Sequence, residues 1–211
     1  GDDPKNVAFS PEELREAIAE STRHNVPVAA HAHATAGINQ AIIAGVRSIE
    51  HGTYLDDESI RLMIEHETYY VPTIYVGDYY AGTDKLLAQE KNDDVYLLYR
   101  DEWLRRIGSA HRQGVKIVVG VDLGGYAIDP QVYAREFATL VEAGLSPMDA
   151  IRAGTSVAAK MLRWDAQLGS IKVGKLADII AVPGNPLDDM SLLENPQFVM
   201  LGGKIIRRPE L

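Results

Sequence analysis

Histidine and aspartate side chains stand at the ends of three segments that have the composition of buried strands. The first segment ends in HAH, with His31 and His33, the second in EHG, with His51, and the third in VD, with Asp122. Two imidazoles and a carboxylate suit a divalent ion such as zinc. A bound ion of this kind acidifies water toward neutrality and polarises a carbonyl, and a carboxylate beside it can carry the proton to a leaving group. The pattern predicts a hydrolytic metal site with His31, His51 and Asp122 as ligands and Asp122 as the catalytic carboxylate.

Repeating βα units are expected to bring these three segment ends together. Apolar and β-branched residues predict strands at these positions: Val26–His31, Val46–His51, Tyr69–Ile74 and Val115–Asp122. Each is followed by a segment with helical spacing, which implies a parallel sheet with helices packed on it. Functional side chains of such sheets lie at the carboxyl ends of the strands, whether the sheet is doubly wound or closes as a (β/α)8 barrel.

The number of βα units is too small for a closed barrel. A (β/α)8 barrel needs about 250 residues and eight strands, whereas this chain has 211 residues and only four strong units. Four units alone would expose two long sheet edges, which folded proteins avoid. Together with the absence of an initiating Met, this leads us to expect the second half of a larger α/β protein, with the rest supplied by upstream polypeptide.

A change of pattern near Trp164 divides the chain. Before it, helices are predicted in these segments: from Pro11, Ile38–Ala44, from Asp56, Asp84–Gln113, Val132–Glu142, Pro147–Ala153 and Ser156–Leu162. After it, glycines, turns and short strands replace the helices, at Asp178–Val182, Phe198–Leu201 and Lys204–Arg207. We therefore expect a barrel half over residues 1–164 and a strand-forming tail over residues 165–211.

Composition and charge exclude several classes of function. The formal net charge of −9 does not fit a general nucleic-acid binder, and the absence of Cys excludes disulfides, thiolate metal sites and a Cys nucleophile. No apolar run approaches the roughly 20 residues of a membrane span. The chain also lacks a Walker A loop, a GxGxxG turn after a strand, a GxSxG elbow and an HExxH motif, which weakens a nucleotide-binding interpretation. Neither nucleic acid nor a membrane is expected as a partner.

His33 and Tyr75 are candidates for substrate binding. Alternation along a strand places His33 on the same face as His31, so a second metal ligand, a substrate contact and a group that supports the ligands are open roles for it. Tyr75 lies near the end of the third predicted strand, where it is a candidate substrate contact. The neighbouring Tyr69 and Tyr70 are predicted to pack in the sheet.

Long stretches of this sequence resemble the amidohydrolase superfamily. They are AAHAHATAGINQAIIAGVRSIEHGTYLDDESIRLMIE, then YYVPTI, then VKIVVGVDLGG, and finally the segment from SPMDAIRAGTSVAAKMLRW to GGKIIR. Within that superfamily the similarity is to the imidazolonepropionase-like and prolidase-like metallopeptidases, which include Xaa-Pro and Xaa-Arg dipeptidases. The resemblance covers essentially the whole chain.

The resemblance implies a distorted (β/α)8 TIM-type barrel beside a small β-sandwich that is built from both chain ends. It implies His31 and His51 as metal ligands, Asp122 as the carboxylate that binds metal and shuttles the proton, and His33 near the carboxylate end of the substrate. The family's first HxH motif and its carboxylated Lys, which bridges two metals, would both lie upstream of Gly1. Ala34 stands where the family usually has Gly, so the substrate is not transferred from any relative.

The expected function is hydrolysis of an amide or peptide bond by metal-activated water, as in a dipeptidase or carboxypeptidase. The expected cofactor is one or two divalent ions, with zinc as the first candidate. The expected partners are a small peptide or amide substrate, the N-terminal half of the same enzyme and further copies in a homo-oligomer. Alternatives that stay open are a lactone, organophosphate or toxin-amide hydrolase, tailoring of a peptide natural product, and a non-catalytic structural or partner-binding role. The compartment also stays open, with the cytoplasm favoured over the periplasm and secretion.

Overall fold

A parallel sheet of four strands carries the candidate residues. The computed structural model describes residues 6–83, 93–122 and 133–209. The strands are β1 Ala29–Ala32, β2 Ser48–His51, β3 Tyr69–Val71 and β4 Lys116–Ile117, and their order in the sheet is β1-β2-β3-β4. All neighbouring pairs in this sheet are parallel. Successive strands therefore lie side by side, as they do in an arc of a (β/α) barrel.

Helices connect the strands. Their bounds are α1 Pro11–Arg23, α2 Thr35–Ala44, α3 Asp57–Glu65, α4 Ile74–Thr83, α5 Asp93–Gln113, α6 Arg135–Glu142, α7 Pro147–Ala153 and α8 Ser156–Met161. The first helix begins at a capping box, in which Ser10 Oγ accepts from the Glu13 N–H and the Glu13 carboxylate accepts from the Ser10 N–H, a pattern that the sequence predicts. In the part of the chain that the structure describes, no helix is long and apolar enough to cross a membrane.

The main core lies between the sheet and its helices. Ile49 of β2 and Tyr70 of β3 belong to this layer and are fully buried. They share the core with buried residues of α2, α3 and α5, which include Ile38, Ile42, Ile60, Met63 and Ile107. Each large apolar side chain contributes about 1.5–3 kcal/mol through its burial. This layer therefore makes the sheet a rigid frame for whatever stands at its strand ends.

The fourth strand is shorter than predicted. We predicted Val115–Asp122, but only Lys116–Ile117 pairs with β3. Two residues later the Val119 N–H donates to the carbonyl of Ala153 at the end of α7, at 3.3 Å. The backbone leaves the ladder here because a helix end, rather than another strand, supplies its hydrogen-bond acceptor.

The third strand also ends early. We predicted Tyr69–Ile74, but β3 stops before Pro72 and helix α4 begins at Ile74. Pro72 has no N–H to give to a ladder, and the backbone of Thr73 is left-handed, with φ of 52°. Tyr75 consequently lies in the first turn of α4 and not near the end of a strand.

The other predicted elements are present with shifted ends. The first strand starts later than predicted, at Ala29, and the second at Ser48. The long helix that we predicted over Asp84–Gln113 is present from Asp93, and residues 84–92 lie outside the described residues. The same holds for residue 132, the predicted start of the helix that the structure begins at Arg135.

A second, antiparallel sheet follows in the C-terminal segment. Its strands are β5 Ile179–Ala181, β6 Phe198–Leu201 and β7 Lys204–Arg207, in the order β5-β6-β7. Gly202 and Gly203 connect β6 to β7 with φ of 56° and 81°, and positive φ at both positions is what a type I′ hairpin turn requires. The short strands predicted after Trp164 are thus present.

The C-terminal segment also packs on the barrel half. A 3-10 helix, Met190–Glu194, lies against α6, and Met190 is buried in the main core. Arg135 of α6 forms an ion pair with Glu194 at 3.0 Å. These contacts cross the predicted division of the chain near Trp164, and that division stays a prediction.

The close packing of α5 on α6 predicts that an alanine at Gly108 destabilises the protein. A Cβ on Gly108 of α5 would lie 2.1 Å from the backbone oxygen of Ala143, whereas a Cβ on Gly37 of α2 would meet its nearest neighbours at 4.0 Å. We expect Gly108→Ala to lower the free energy of unfolding by about 1–3 kcal/mol through overpacking. The matched control Gly37→Ala should raise it by about 0.4–1 kcal/mol. Urea denaturation of the complete protein measures both, and a Gly108→Ala variant as stable as the control would contradict the packing.

Candidate metal centre

Three histidines from two neighbouring strand ends come together. His31, His33 and His51 each offer a ring nitrogen, and these atoms all lie within 4.8 Å of one another. The ring centroids of His31 and His51 are 4.4 Å apart, and those of His33 and His51 are 4.9 Å apart. His51 is buried, His33 is half-buried and His31 is exposed. In the described part of the chain, this is the group of residues whose donor atoms could hold a metal ion.

The register of the sheet explains why the ends of β1 and β2 lie side by side. In the parallel pair of β1 and β2, Ala32 lies opposite His51, so the two strands end at the same level. His31 and His33 share a face because they are two residues apart. By the same alternation, His51 would follow Ile49 into the helix-side core. The strand pattern alone therefore points His51 away from the other two rings.

A left-handed backbone at His51 explains why its ring nevertheless faces the other two. Its φ is 69° and that of the following Gly52 is 59°. A non-glycine residue in this region carries steric strain, but it re-aims the side chain at the end of the strand. The same conformation recurs after the next two strands, with φ of 52° at Thr73, two residues past β3, and 47° at Asp122, five residues past β4. Because such strain clusters at functional sites, this rim of the sheet is a candidate site independently of its residue types.

Thr73 fixes the ring of His51. His51 Nδ1 and Thr73 Oγ1 are 2.7 Å apart, and the Thr73 hydroxyl donates to the carbonyl of Pro72 at 2.7 Å. A hydroxyl has one proton to give, so Thr73 Oγ1 accepts from His51 Nδ1–H. This network assigns the proton of the neutral ring to Nδ1 and leaves the lone pair on Nε2.

Tyr70 fixes the backbone of His51. The Tyr70 hydroxyl donates to the carbonyl of His51 at 3.0 Å and accepts from Trp103 Nε1 at 2.8 Å. A Cβ on Gly52 would lie 2.7 Å from the Tyr70 ring, so the residue after His51 has to be glycine here. Tyr70 packs in the core, as its sequence position predicts, and it also holds the strained turn.

Asp122 lies beside the free nitrogen of His51. Its Oδ2 is 3.8 Å from His51 Nε2, and its side chain is 60% exposed. Two ligands that each lie about 2.1 Å from one tetrahedral zinc would be roughly 3.4 Å apart, so the observed separation is close to that of a shared ion. The structure thus brings His31, His33 and His51 together and places Asp122 beside His51, and the roles of all four residues as ligands or catalytic groups stay predictions.

The surroundings of His51 and His33 favour the neutral form of these two rings. Burial, and to a smaller extent the neighbouring His33 and His31, lower the pKa of His51 to about 4. Burial and the nearby His31 also lower the pKa of His33. Burial raises the pKa of Glu50, whose carboxylate accepts from the Ser48 hydroxyl at 2.6 Å. Neutral imidazole is the form that binds a metal.

Tyr75 belongs to a different set of contacts. Its hydroxyl accepts from Arg135 Nη1 at 2.8 Å, and that guanidinium also lies 5.7 Å from the centre of the Tyr75 ring. Arg135 in turn pairs with Glu194. This ties Tyr75 to α6 and the C-terminal segment, and its predicted contact with substrate stays a prediction.

Sequence reasoning missed three polar residues at or behind this rim. Thr53 Oγ1 lies 2.8 Å from His33 Nδ1, and Thr73 binds the ring of His51. Glu136 of α6 is fully buried, and its carboxylate accepts from the backbone N–H groups of Ile74 and Tyr75. Thr53 follows the EHG segment directly, which is a local signal. Thr73 and Glu136 are recognised only through partners that lie 22 and 62 residues away.

The edge of the sheet beside the histidines is open. Among the described strands, β1 pairs with β2 alone. A groove of about 1100 Å³ runs along the other side of β1, and its lining includes His31, His33, Phe9 and Leu14. The histidine cluster therefore borders an open, mostly apolar groove.

The model of the amidohydrolase family matches residues 1–206 of this chain. The chain belongs to the amidohydrolase family. The resemblance that the sequence indicates is confirmed. The α/β fold class, with a barrel-type parallel sheet and a separate set of antiparallel strands, is confirmed by the solved structures that the chain resembles.

Individual relatives of known name cover the chain almost completely. Ochratoxinase of Aspergillus niger is 36% identical over 215 residues, which is 99% of this chain and 44% of that protein. A Xaa-Pro dipeptidase crystallised with methionine in its active site is 38% identical, with a TM-score of 0.86 over 96% of this chain and 50% of its own. A prolidase complexed with N-methylphosphonate-L-proline is 29% identical, with a TM-score of 0.87 over 98% of this chain and 51% of its own. The chain spans about half the length of these relatives.

The buried, neutral His51 predicts acid sensitivity of the metal-free protein. The pKa of His51 is about 4 in the folded chain, against 6.5 for an unperturbed histidine. The unfolded chain therefore takes up the proton first, and stability is lost as the pH falls from about 6.5 toward 4. Thermal denaturation of the complete protein in a chelator should show a steeper loss over this range for the wild type than for His51→Asn. The exposed His24→Asn is the control and should behave like the wild type, whereas equal pH dependence in all three proteins would contradict the assignment.

Proposed function

We propose that this protein is a metal-dependent hydrolase that cleaves the amide bond of a small substrate. The observation that carries the proposal is the convergence of the ring nitrogens of His31, His33 and His51 within 4.8 Å, with Asp122 at 3.8 Å from His51. Membership of the amidohydrolase family supports hydrolysis of amide bonds. Site and family thus agree on one class of reaction.

The donor set fits a divalent ion. Imidazole nitrogen and carboxylate oxygen suit zinc and the neighbouring transition metals, and the assigned proton on His51 Nδ1 leaves Nε2 free to bind. We propose His31, His51 and Asp122 as the ligands of one ion. When bound, the ion supplies Lewis-acid polarisation of the carbonyl and a more acidic water. Zinc is the first candidate.

His33 is proposed as a substrate contact rather than as a third imidazole ligand. The rings of His33 and His51 are stacked, with 18° between their planes, whereas the planes of His31 and His51 are 73° apart. Stacked rings keep their in-plane lone pairs in separate planes, so they aim poorly at one ion. His33 also lines the groove beside β1, where a substrate has access.

Asp122 is proposed as the group that moves the proton. Its side chain is 60% exposed, so a substrate can reach the carboxylate. A carboxylate there accepts a proton from the attacking water and returns it to the departing amine. The tight hydrogen bonds around His51 keep that ring in place while Asp122 changes its protonation state.

The site is proposed to be completed by polypeptide outside this chain. The open edge of β1 and the groove of about 1100 Å³ along it support this, because they leave room for further strands beside His31. That polypeptide would bring the HxH motif and the carboxylated Lys of a two-metal site. A homo-oligomer is a further proposal.

The preferred substrate is a dipeptide-like amide. The similarity to a Xaa-Pro dipeptidase and a prolidase supports this class. The similarity to ochratoxinase favours a toxin amide as the second candidate. A panel of Xaa-Pro dipeptides and aryl amides of amino acids distinguishes the two by their kcat/KM values.

Metal removal and Asp122→Asn test the proposed mechanism. Treatment of the complete protein with a chelator should abolish hydrolysis, and zinc should restore it. Asp122→Asn should lower kcat by about 10²–10⁴-fold because the amide cannot take the proton, and the metal content of each preparation is measured alongside. The exposed Asp165→Asn is the matched control and should keep wild-type kcat. Full activity after chelation, or in Asp122→Asn, would overturn the proposal.

A further inference from the structure

Glu136 is a fully buried carboxylate outside the histidine cluster. It lies on α6, and its Oε1 and Oε2 accept from the N–H groups of Ile74 and Tyr75 at 3.1 and 2.8 Å. These N–H groups belong to the first turn of α4, where a helix has donors without internal partners and a partial positive charge. A carboxylate from a distant helix therefore closes the start of α4.

This position is unfavourable for a carboxylate in terms of stability. Burial raises the pKa of Glu136 to about 7, although the two backbone hydrogen bonds oppose the rise. A helix start is usually capped by the Ser, Thr, Asp or Asn that directly precedes it, as Asp56 caps α3 by accepting from the Ser59 N–H at 2.8 Å. Stability alone therefore does not explain why a buried carboxylate from a distant helix caps the start of α4.

The reason we identify is the residue just before the capped turn. Thr73 directly precedes Ile74, has a left-handed backbone and accepts the Nδ1 proton of His51. Pro72 restricts the backbone on one side of Thr73, and the hydrogen bonds to Glu136 hold it on the other. The strained Thr73 is consequently clamped from both sides.

We propose that Glu136 is a positioning residue for His51, acting through the start of α4 and Thr73. The inference rests on the proposed function in so far as His51 is taken to bind the metal. Without the carboxylate, the first turn of α4 loosens, Thr73 Oγ1 moves and the ring of His51 loses its fixed orientation. Groups that orient a metal-binding histidine typically affect metal affinity by about 10–100-fold.

Cobalt(II) binding to the metal-free complete protein tests the proposal. Glu136→Gln replaces one acceptor by a donor that faces a backbone N–H, and we expect cobalt affinity to fall by about 10–100-fold with a shifted visible absorption band. Asp56→Asn makes the same chemical change at the start of α3 and should bind like the wild type. Glu136→Asp, which keeps the charge on a shorter side chain, should have a cobalt affinity between those of Glu136→Gln and the wild type.

Thr73→Val tests the route of the effect. It removes the acceptor of the His51 proton and should weaken cobalt binding to a similar extent. Because Glu136 is proposed to act through Thr73, the double variant should be no weaker than Thr73→Val alone, whereas independent effects would multiply. Multiplying effects would overturn this route.

A metal-independent measurement separates this proposal from the proposed function. Long-range ¹⁵N–¹H spectra of the metal-free protein with labelled histidines should show His51 protonated on Nδ1 in the wild type and a tautomer mixture in Glu136→Gln. Failure of the wild type to bind cobalt would refute the metal site, and the tautomers would still decide the role of Glu136. Wild-type cobalt affinity and a wild-type tautomer in Glu136→Gln would refute the positioning role.

Discussion

The position of the His51 ring depends on one strained residue at the end of β2. The alternation of a strand would send this ring toward the core with Ile49, and the φ of 69° sends it toward His31 and His33 instead. Such strain costs about 1–3 kcal/mol. It persists because the Tyr70 hydroxyl holds the His51 carbonyl and Thr73 holds the ring, both through buried hydrogen bonds.

The rest of the structure supplies the rigidity that this arrangement needs. The helix-side core keeps β1, β2 and β3 in register, so their ends stay level. Trp103 of α5 holds the Tyr70 hydroxyl, and Glu136 of α6 holds the turn after Thr73. Two helices distant in sequence therefore support two different sides of the same histidine. Asp122, beside the same ring, has by contrast an exposed side chain.

Much of the architecture was predictable from local signals in the sequence. Repeating strand and helix patterns predicted the parallel sheet, and the HAH and EHG segments predicted the histidines that meet. The predictions were wrong where a distant partner takes over a hydrogen bond. Residues 118–122 are predicted as strand, but the Val119 N–H donates to the carbonyl of Ala153. Tyr75 is predicted near a strand end, but it lies in the first turn of α4, where its N–H donates to the carboxylate of Glu136.

The sequence by itself determined the family, the α/β class and which residue types stand after which strands. These follow from periodicity, from turn residues and from motifs that are read over a few neighbouring positions. Only the tertiary structure decided which way His51 faces, which of its nitrogens carries the proton and which residues hold it there. Those properties depend on a backbone strain and on hydrogen bonds between residues 22 to 62 positions apart, and the strength of such contacts is set by burial, which no local pattern encodes.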